Sequence, residues 1–276
     1  MFNLYWADER SLPAGDRGCA YGDGLFETIR MQGSRGVLMS RHLNRMAGDA
    51  GRLGIPMTVT ELRKACSAAA DRFADRFSNA GGCGAWVLKL TLTRGEGGRG
   101  YRPGSDIRPN LLVAASSMPA VPPVKGVEAD FSRIPLTVNP LFSGIKSLNR
   151  LEQVMAAREI EEGVFEAIMA DADGNLVEGT RTNLLVKTPD GWATPPTKSL
   201  AVAGVLRQWL LERLRARGET VVERPLSVQD LTGPGCSGVY LMNSVLGIVS
   251  VRRLADQDLP VGGGLATIFN PLELLE

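Results

Sequence analysis

Residues 84–93 alternate strictly enough to predict a strand, with Trp86, Leu88, Leu90 and Leu92 on one face. A more continuous apolar run at 110–116 reads as a second, more deeply buried strand. Similar runs lie at 167–171, 184–187 and 238–242. Helical periodicity predicts helices near 40–53, 60–77, 147–162 and 205–217. In the third of these, Leu148, Leu151, Val154 and Met155 form an apolar stripe, Ser147 is placed to cap the start, and Gly163 is placed to end it. Pro119, Pro122 and Pro123 interrupt the pattern, because closely spaced prolines fit neither a helix nor a central strand. The expected organisation is a smaller domain over 1–117, a linker at 118–126 and a larger domain over 127–276.

A length of 276 residues suits one large or two medium domains. The net charge of +1 gives no electrostatic footing for nucleic acid or an acidic membrane surface. No run of 18 apolar residues is present, so no membrane-spanning helix is expected. The four cysteines, Cys19, Cys66, Cys83 and Cys236, have no metal-ligand spacing and read as free thiols. The N-terminus has no basic segment followed by an apolar core, and a cytoplasmic location is expected. The single histidine, His42, excludes a multi-histidine metal site and leaves a Ser-His-Asp hydrolase resting on one residue. Lysine is then the stronger candidate for a proton-moving base.

Lys146 is one of six lysines set against 25 arginines, and it lies between the small residues Ser143 and Gly144 and the predicted third helix. That placement suits an amine aimed into a cleft to form a Schiff base and move protons; the plain alternative is a solvated lysine at a helix start. The glycines at 95, 97 and 100 match a dinucleotide-binding spacing, but Tyr101, Arg102 and Pro103 cannot open the helix such a site needs. The remaining readings are a tight hairpin or a loop that carries Arg99 and Tyr101 to a substrate carboxylate. Glu178, beyond a turn at Asp173 and Gly174, could hold a protonated pyridine nitrogen or simply lead into a strand. Gly204 opens the fourth helix, whose first amides would suit an anion. Arg45 is either a surface helix residue or a phosphate ligand.

Taken in order, these segments resemble the fold type IV pyridoxal-phosphate enzymes, which include branched-chain and D-amino-acid aminotransferases and 4-amino-4-deoxychorismate lyases. The shared residues are Asp16, Arg17 and Gly18; Tyr21 through Thr28; His42 through Arg45; Lys146 through Leu151; Glu178 through Leu184; Gly204 through Arg207; and Asn243 with Ser244. Met46 and Thr182 are small departures that remove no functional group, and the last 25 residues carry no matching pattern. The resemblance implies an α/β (α+β) fold of two domains, with pyridoxal 5'-phosphate in the cleft between them, in a homodimer. It implies that Lys146 carries the cofactor and acts as the base. Glu178 would pair with the ring nitrogen, with Asn183 beside the cofactor. Arg45, Val205, Leu206 and Ser244 would hold the phosphate. Arg99, Tyr101, Asn243 and Thr28 would meet a small-molecule substrate, with Arg30 or Arg94 as further arginines for its carboxylate. The segments 93–101 and 145–154 look most like the lyases, which implies conversion of 4-amino-4-deoxychorismate to 4-aminobenzoate and pyruvate, a step towards folate. A transferase acting on D- or branched-chain amino acids is the first alternative, and a non-catalytic cofactor- or metabolite-binding protein the second. No metal is expected.

Overall fold

The computed structural model describes residues 2–78, 84–106, 108–261, 265, 268 and 270–276. Cys83 lies outside them. The chain divides into two compact units. The first comprises Met1–Pro119, Lys146–Asn149 and Pro271–Glu276; the second comprises Ala120–Ile145 and Arg150–Asn270.

The first unit is built on a sheet of β1 (Asn3–Trp6), β2 (Gly24–Gln32), β3 (Arg35–Gly36), β4 (Ala85–Thr93) and β5 (Asn110–Ser117), in the order β1-β5-β4-β2-β3. Only β1 and β5 pair in parallel. The expected face of β4 is the buried one: Trp86, Leu88, Leu90 and Leu92 are fully buried. Each contributes ~1.5–3 kcal/mol relative to an exposed position. The long helices α2 (Met39–Arg52) and α3 (Val59–Ser78) pack on the sheet, and Phe77 stacks on Trp86 at 5.5 Å between centroids. A short helix, α1 (Arg17–Tyr21), precedes β2. Asp16 accepts from Gly18 N at its start, and Gly22, in the left-handed region, closes it.

The second unit holds β6 (Val127–Phe131), β7 (Glu166–Ala170), β8 (Leu176–Gly179), β9 (Asn183–Thr188), β10 (Gly191–Thr194), β11 (Val221–Glu223), β12 (Gly238–Asn243), β13 (Gly247–Leu254) and β14 (Gln257–Asp258). Eight of them run in the order β11-β10-β9-β12-β13-β6-β7-β8, with β14 on β13. Helices α4 (Leu151–Ala157), α5 (Val205–Ala216) and α6 (Val228–Thr232) complete the unit. One core cluster includes Leu184, Val186, Val239, Leu241 and Val251; another joins Leu136, Ala156, Met169, Val177 and Leu200. Burial on both faces is why these strands read as apolar runs rather than as alternation.

One expectation needs correction. The helix expected over 147–162 is only α4, and Arg150, not Ser147, precedes it. Residues 146–148 are extended instead, because Phe26 N donates to Lys146 O at 3.0 Å and Leu148 N to Gly24 O at 3.0 Å. Of the expected apolar stripe, Leu151, Val154 and Met155 are outward, with Leu151 at 73% exposure, and Leu148 is half-buried, while Gln153 and Ala156 face inward. The main division of the chain, between Pro119 and Ala120, lies within the segment 118–126, and two further segments, 146–149 and 271–276, join the first unit. Strand-edge pairing ties 146–149 to the first unit, and the bonds between Gly36 and Glu276 tie 271–276 to it.

Candidate active site

Alternation along β2 sorts its side chains: Leu25, Glu27, Ile29 and Met31 are buried, while Phe26, Thr28 and Arg30 are half-buried on the other face. Glu27, with 1% of its surface exposed, requires a compensating charge. Helix α2 supplies it. Arg45 donates Nε to Oε1 at 2.7 Å and Nη2 to Oε2 at 2.6 Å, and His42 Nδ1 lies 2.6 Å from Oε2. Burial alone would raise the Glu27 carboxyl, but Arg45 and His42 outweigh it and hold it down at about 2. Burial also pushes His42 below the usual imidazole range against the pull of Glu27. The ring is therefore neutral at pH 7, Nδ1–H donates to Glu27, and Nε2 is buried without a hydrogen-bond partner among the described residues.

One turn further along α2, Asp49 Oδ2 accepts the backbone N–H of Lys146 at 3.4 Å. Burial raises the Asp49 carboxyl, opposed by that bond. The Lys146 backbone is thus held from both sides, by Asp49 and by β2. Its Nζ stands 4.2 Å from the centroid of the Phe26 ring. Lys89, in register with Thr28 on β4, reaches the same ring at 5.6 Å.

In the second unit, Glu178 is 3% exposed on β8, and its Oε2 accepts Val202 N at 3.1 Å and Asn183 Nδ2 at 3.4 Å. Asn183 Nδ2 also donates to Val202 O at 3.0 Å. On its other side, Asn183 fills the space that a side chain at position 204 would need: a Cβ built there would lie 1.9 Å from Asn183 Oδ1. Gly204 has φ −63°, an ordinary value, so glycine is required here by space and not by backbone strain. It begins α5, whose first turn, with buried Val205 and Leu206, has no side-chain cap. Uncapped amides with the positive end of the helix dipole make an anion site. One side chain therefore joins a buried carboxylate to an uncapped helix start.

The remaining expected residues are placed differently. Ser244 is buried at the turn after β12. Asn243 is engaged within that turn, accepting from Val245 N at 3.0 Å and Leu246 N at 2.8 Å and donating to Arg181 O at 3.3 Å. Arg99 and Tyr101 are exposed, and Arg99 has no hydrogen-bond partner among the described residues. No helix opens after Gly100, as expected. Arg94 is bound to Asp23 at 2.7 Å and to the carbonyls of Leu53 and Gly54.

Three positioning groups were given no role from the sequence: Glu27, which was read only as part of a shared segment, Asp49 and Glu166. Glu166 is fully buried and accepts from the amides of Ala167, Thr180 and Arg181 and from the hydroxyls of Thr180 (2.5 Å) and Thr182 (2.8 Å). It fixes the loop between Glu178 and Asn183. The alternation of β2 was the available signal for Glu27, which sits in phase with Leu25 and Ile29. Nothing local marks the other two. Among the described residues, no helix is long and apolar enough to cross a membrane.

The chain belongs to the class IV aminotransferase family, whose pattern matches residues 24–254. It is 30% identical over 272 residues to the aminodeoxychorismate lyase of Vibrio harveyi, covering 94% of this chain and 96% of that one. The crystal structure of 4-amino-4-deoxychorismate lyase from Pseudomonas aeruginosa superposes with a TM-score of 0.85 at 37% identity, over 94% of this chain and 93% of that one. A relative from Mycobacterium tuberculosis, 27% identical over 90% of this chain and 88% of its own, is a bifunctional aminodeoxychorismate lyase and D-amino acid transaminase.

Proposed function

We propose that the protein is a pyridoxal-phosphate-dependent lyase that converts 4-amino-4-deoxychorismate into 4-aminobenzoate and pyruvate. The observation that carries the reading is Asn183, which links the buried Glu178 carboxylate to the uncapped start of α5. A phosphorylated pyridine needs that pair of features, a carboxylate for its ring nitrogen and amides for its phosphate. The buried carboxylate and the glycine-lined helix start fit the cofactor. Glu178 and Asn183 would hold its ring, Val205 and Leu206 its phosphate, and Ser244 and Arg45 would add to the phosphate site. Bound pyridoxal phosphate supplies an electron sink. Lys146 is the covalent anchor and the base that takes the proton from the amine-bearing carbon of the substrate. Loss of that proton and departure of the enolpyruvyl oxygen make the ring aromatic, so one base suffices. Thr28 is half-buried on the same face of β2 as Phe26, whose ring Lys146 Nζ approaches at 4.2 Å.

Support for the lyase over a transferase comes from the similarity to the Vibrio and Pseudomonas lyases along nearly the whole chain. D-amino-acid transamination is a second activity, favoured by the bifunctional mycobacterial relative. A homodimer follows from the family resemblance, and the outward Leu151, Val154 and Met155 offer an apolar surface for it. A cytoplasmic setting fits the free thiols of Cys19, Cys66 and Cys236. The test is incubation with 4-amino-4-deoxychorismate, assayed for 4-aminobenzoate and pyruvate, followed by borohydride reduction and peptide mapping. Both products and a label on Lys146 are expected. Absence of 4-aminobenzoate, or a label on any of the other five lysines, overturns the reading.

A further inference from the structure

The loop that follows β4 borders a polar pocket of about 260 Å³, walled by Arg17, Arg94, Glu96 and Asp106 among others. One side chain holds the loop at several points. Arg17, 4% exposed on α1, donates Nη1 to Gly100 O at 3.0 Å and Nη2 to Tyr101 O at 2.7 Å. Its Nε donates to Asp23 at 2.9 Å, and its backbone N–H to Gly95 O at 2.9 Å. The loop also lies directly on the stem of Arg17, since a Cβ at Gly97 would be 2.7 Å from Arg17 Cδ. The guanidinium stands 4.9 Å from the Tyr21 ring, which meets Tyr101 edge-on at 5.5 Å. Arg17 thus grips both ends of the loop and its middle, leaving the Arg99 and Tyr101 side chains outward.

We propose that Arg17 is a positioning residue for substrate recognition, which fixes the 95–101 loop so that Arg99 and Tyr101 are presented to a carboxylate of the substrate. The inference rests on the lyase reading above. Its chemistry demands arginine. Three donors leave one plane towards an anion and two carbonyls, a geometry that a lysine ammonium cannot reproduce even with its charge intact.

Two variants test it. Arg17→Lys keeps the charge beside Asp23 and loses the fork. Gly97→Ala removes no polar group and pushes the loop off the Arg17 stem, so it remains informative if Arg17→Lys fails to fold. The backbone order parameters of residues 96–101, read by NMR relaxation, should fall by at least about 0.2 in either variant. KM for 4-amino-4-deoxychorismate and the inhibition constant of 4-aminobenzoate should both rise about tenfold, the loss expected when one charge-assisted hydrogen bond is misaligned. The cofactor absorbance should stay as in wild type, and kcat within about twofold. Unchanged order parameters overturn the clamp. Lower order parameters with unchanged KM and unchanged inhibition overturn its role in recognition. A wild-type enzyme inactive on this substrate overturns the functional reading instead, and the order parameters then decide the clamp by themselves.

Discussion

Replacing Glu27 by Gln should be among the most damaging isosteric changes in the first unit. The carboxylate is fully enclosed and receives Arg45 through two hydrogen bonds and His42 through a third. Two estimates of its worth agree. A carboxyl held at about 2 in the folded chain, against an ordinary 4.5, is linked to about 3 kcal/mol of stability. Removing one member of a buried ion pair costs ~3–5 kcal/mol, because the other charge stays buried and unmatched. At an m-value of roughly 2 kcal/mol/M, the urea midpoint of the variant should fall by about 1.5–2.5 M. The pH dependence supplies a second check. Because the folded value is depressed, the stabilisation from Glu27 is complete above pH 4.5 and is lost as pH falls towards 2. Stability plotted against pH should therefore have a shallower slope between 4.5 and 2 in Glu27→Gln than in wild type. A midpoint within about 0.3 M of wild type, with an unaltered acid slope, would refute the assignment of Glu27 as the anchor of Arg45.

Gly204→Ala should weaken pyridoxal-phosphate binding at least tenfold by titration, with little change in urea midpoint, because the added Cβ displaces Asn183 from the start of α5 without straining the backbone. Glu166→Gln should lower stability by ~2–4 kcal/mol in urea unfolding, since a neutral amide presents hydrogens to some of the five donors that now face a carboxylate. Lys146→Ala should abolish formation of 4-aminobenzoate while the purified variant still binds the cofactor non-covalently, read by equilibrium dialysis.

Strand β4 was legible because one face is buried and the other is not, so its alternation records its surroundings. Helix α5 was legible because the glycine before it and the apolar periodicity after it are local signals, whereas the neighbour that demands glycine there, Asn183, comes from β9 and was not. The segment at 147–150 was not legible, and the reason is tertiary. Its residues have helical periodicity, but the open edge of β2 takes their backbone groups first. Arg17 was read as part of a motif, but its partners Gly100 and Tyr101 lie 83 and 84 residues away, and no local pattern announces them.

The residues expected to do chemistry and the residues that place them follow different rules. Lysine, arginine and a helix-starting glycine declare themselves by type and position, because each must present a defined group. The groups that hold them are mostly buried or half-buried carboxylates: Glu27 under Arg45, Asp49 against the Lys146 amide, Glu166 behind the 180–182 loop, and Asp23 between Arg17 and Arg94. An anion in such surroundings is tolerated only when surrounding donors match it, so each one fixes the geometry of everything that donates to it. This separates the expected phenotypes. Loss of a presenting group should remove activity and spare the fold, whereas loss of a holding carboxylate should cost stability first and activity through it.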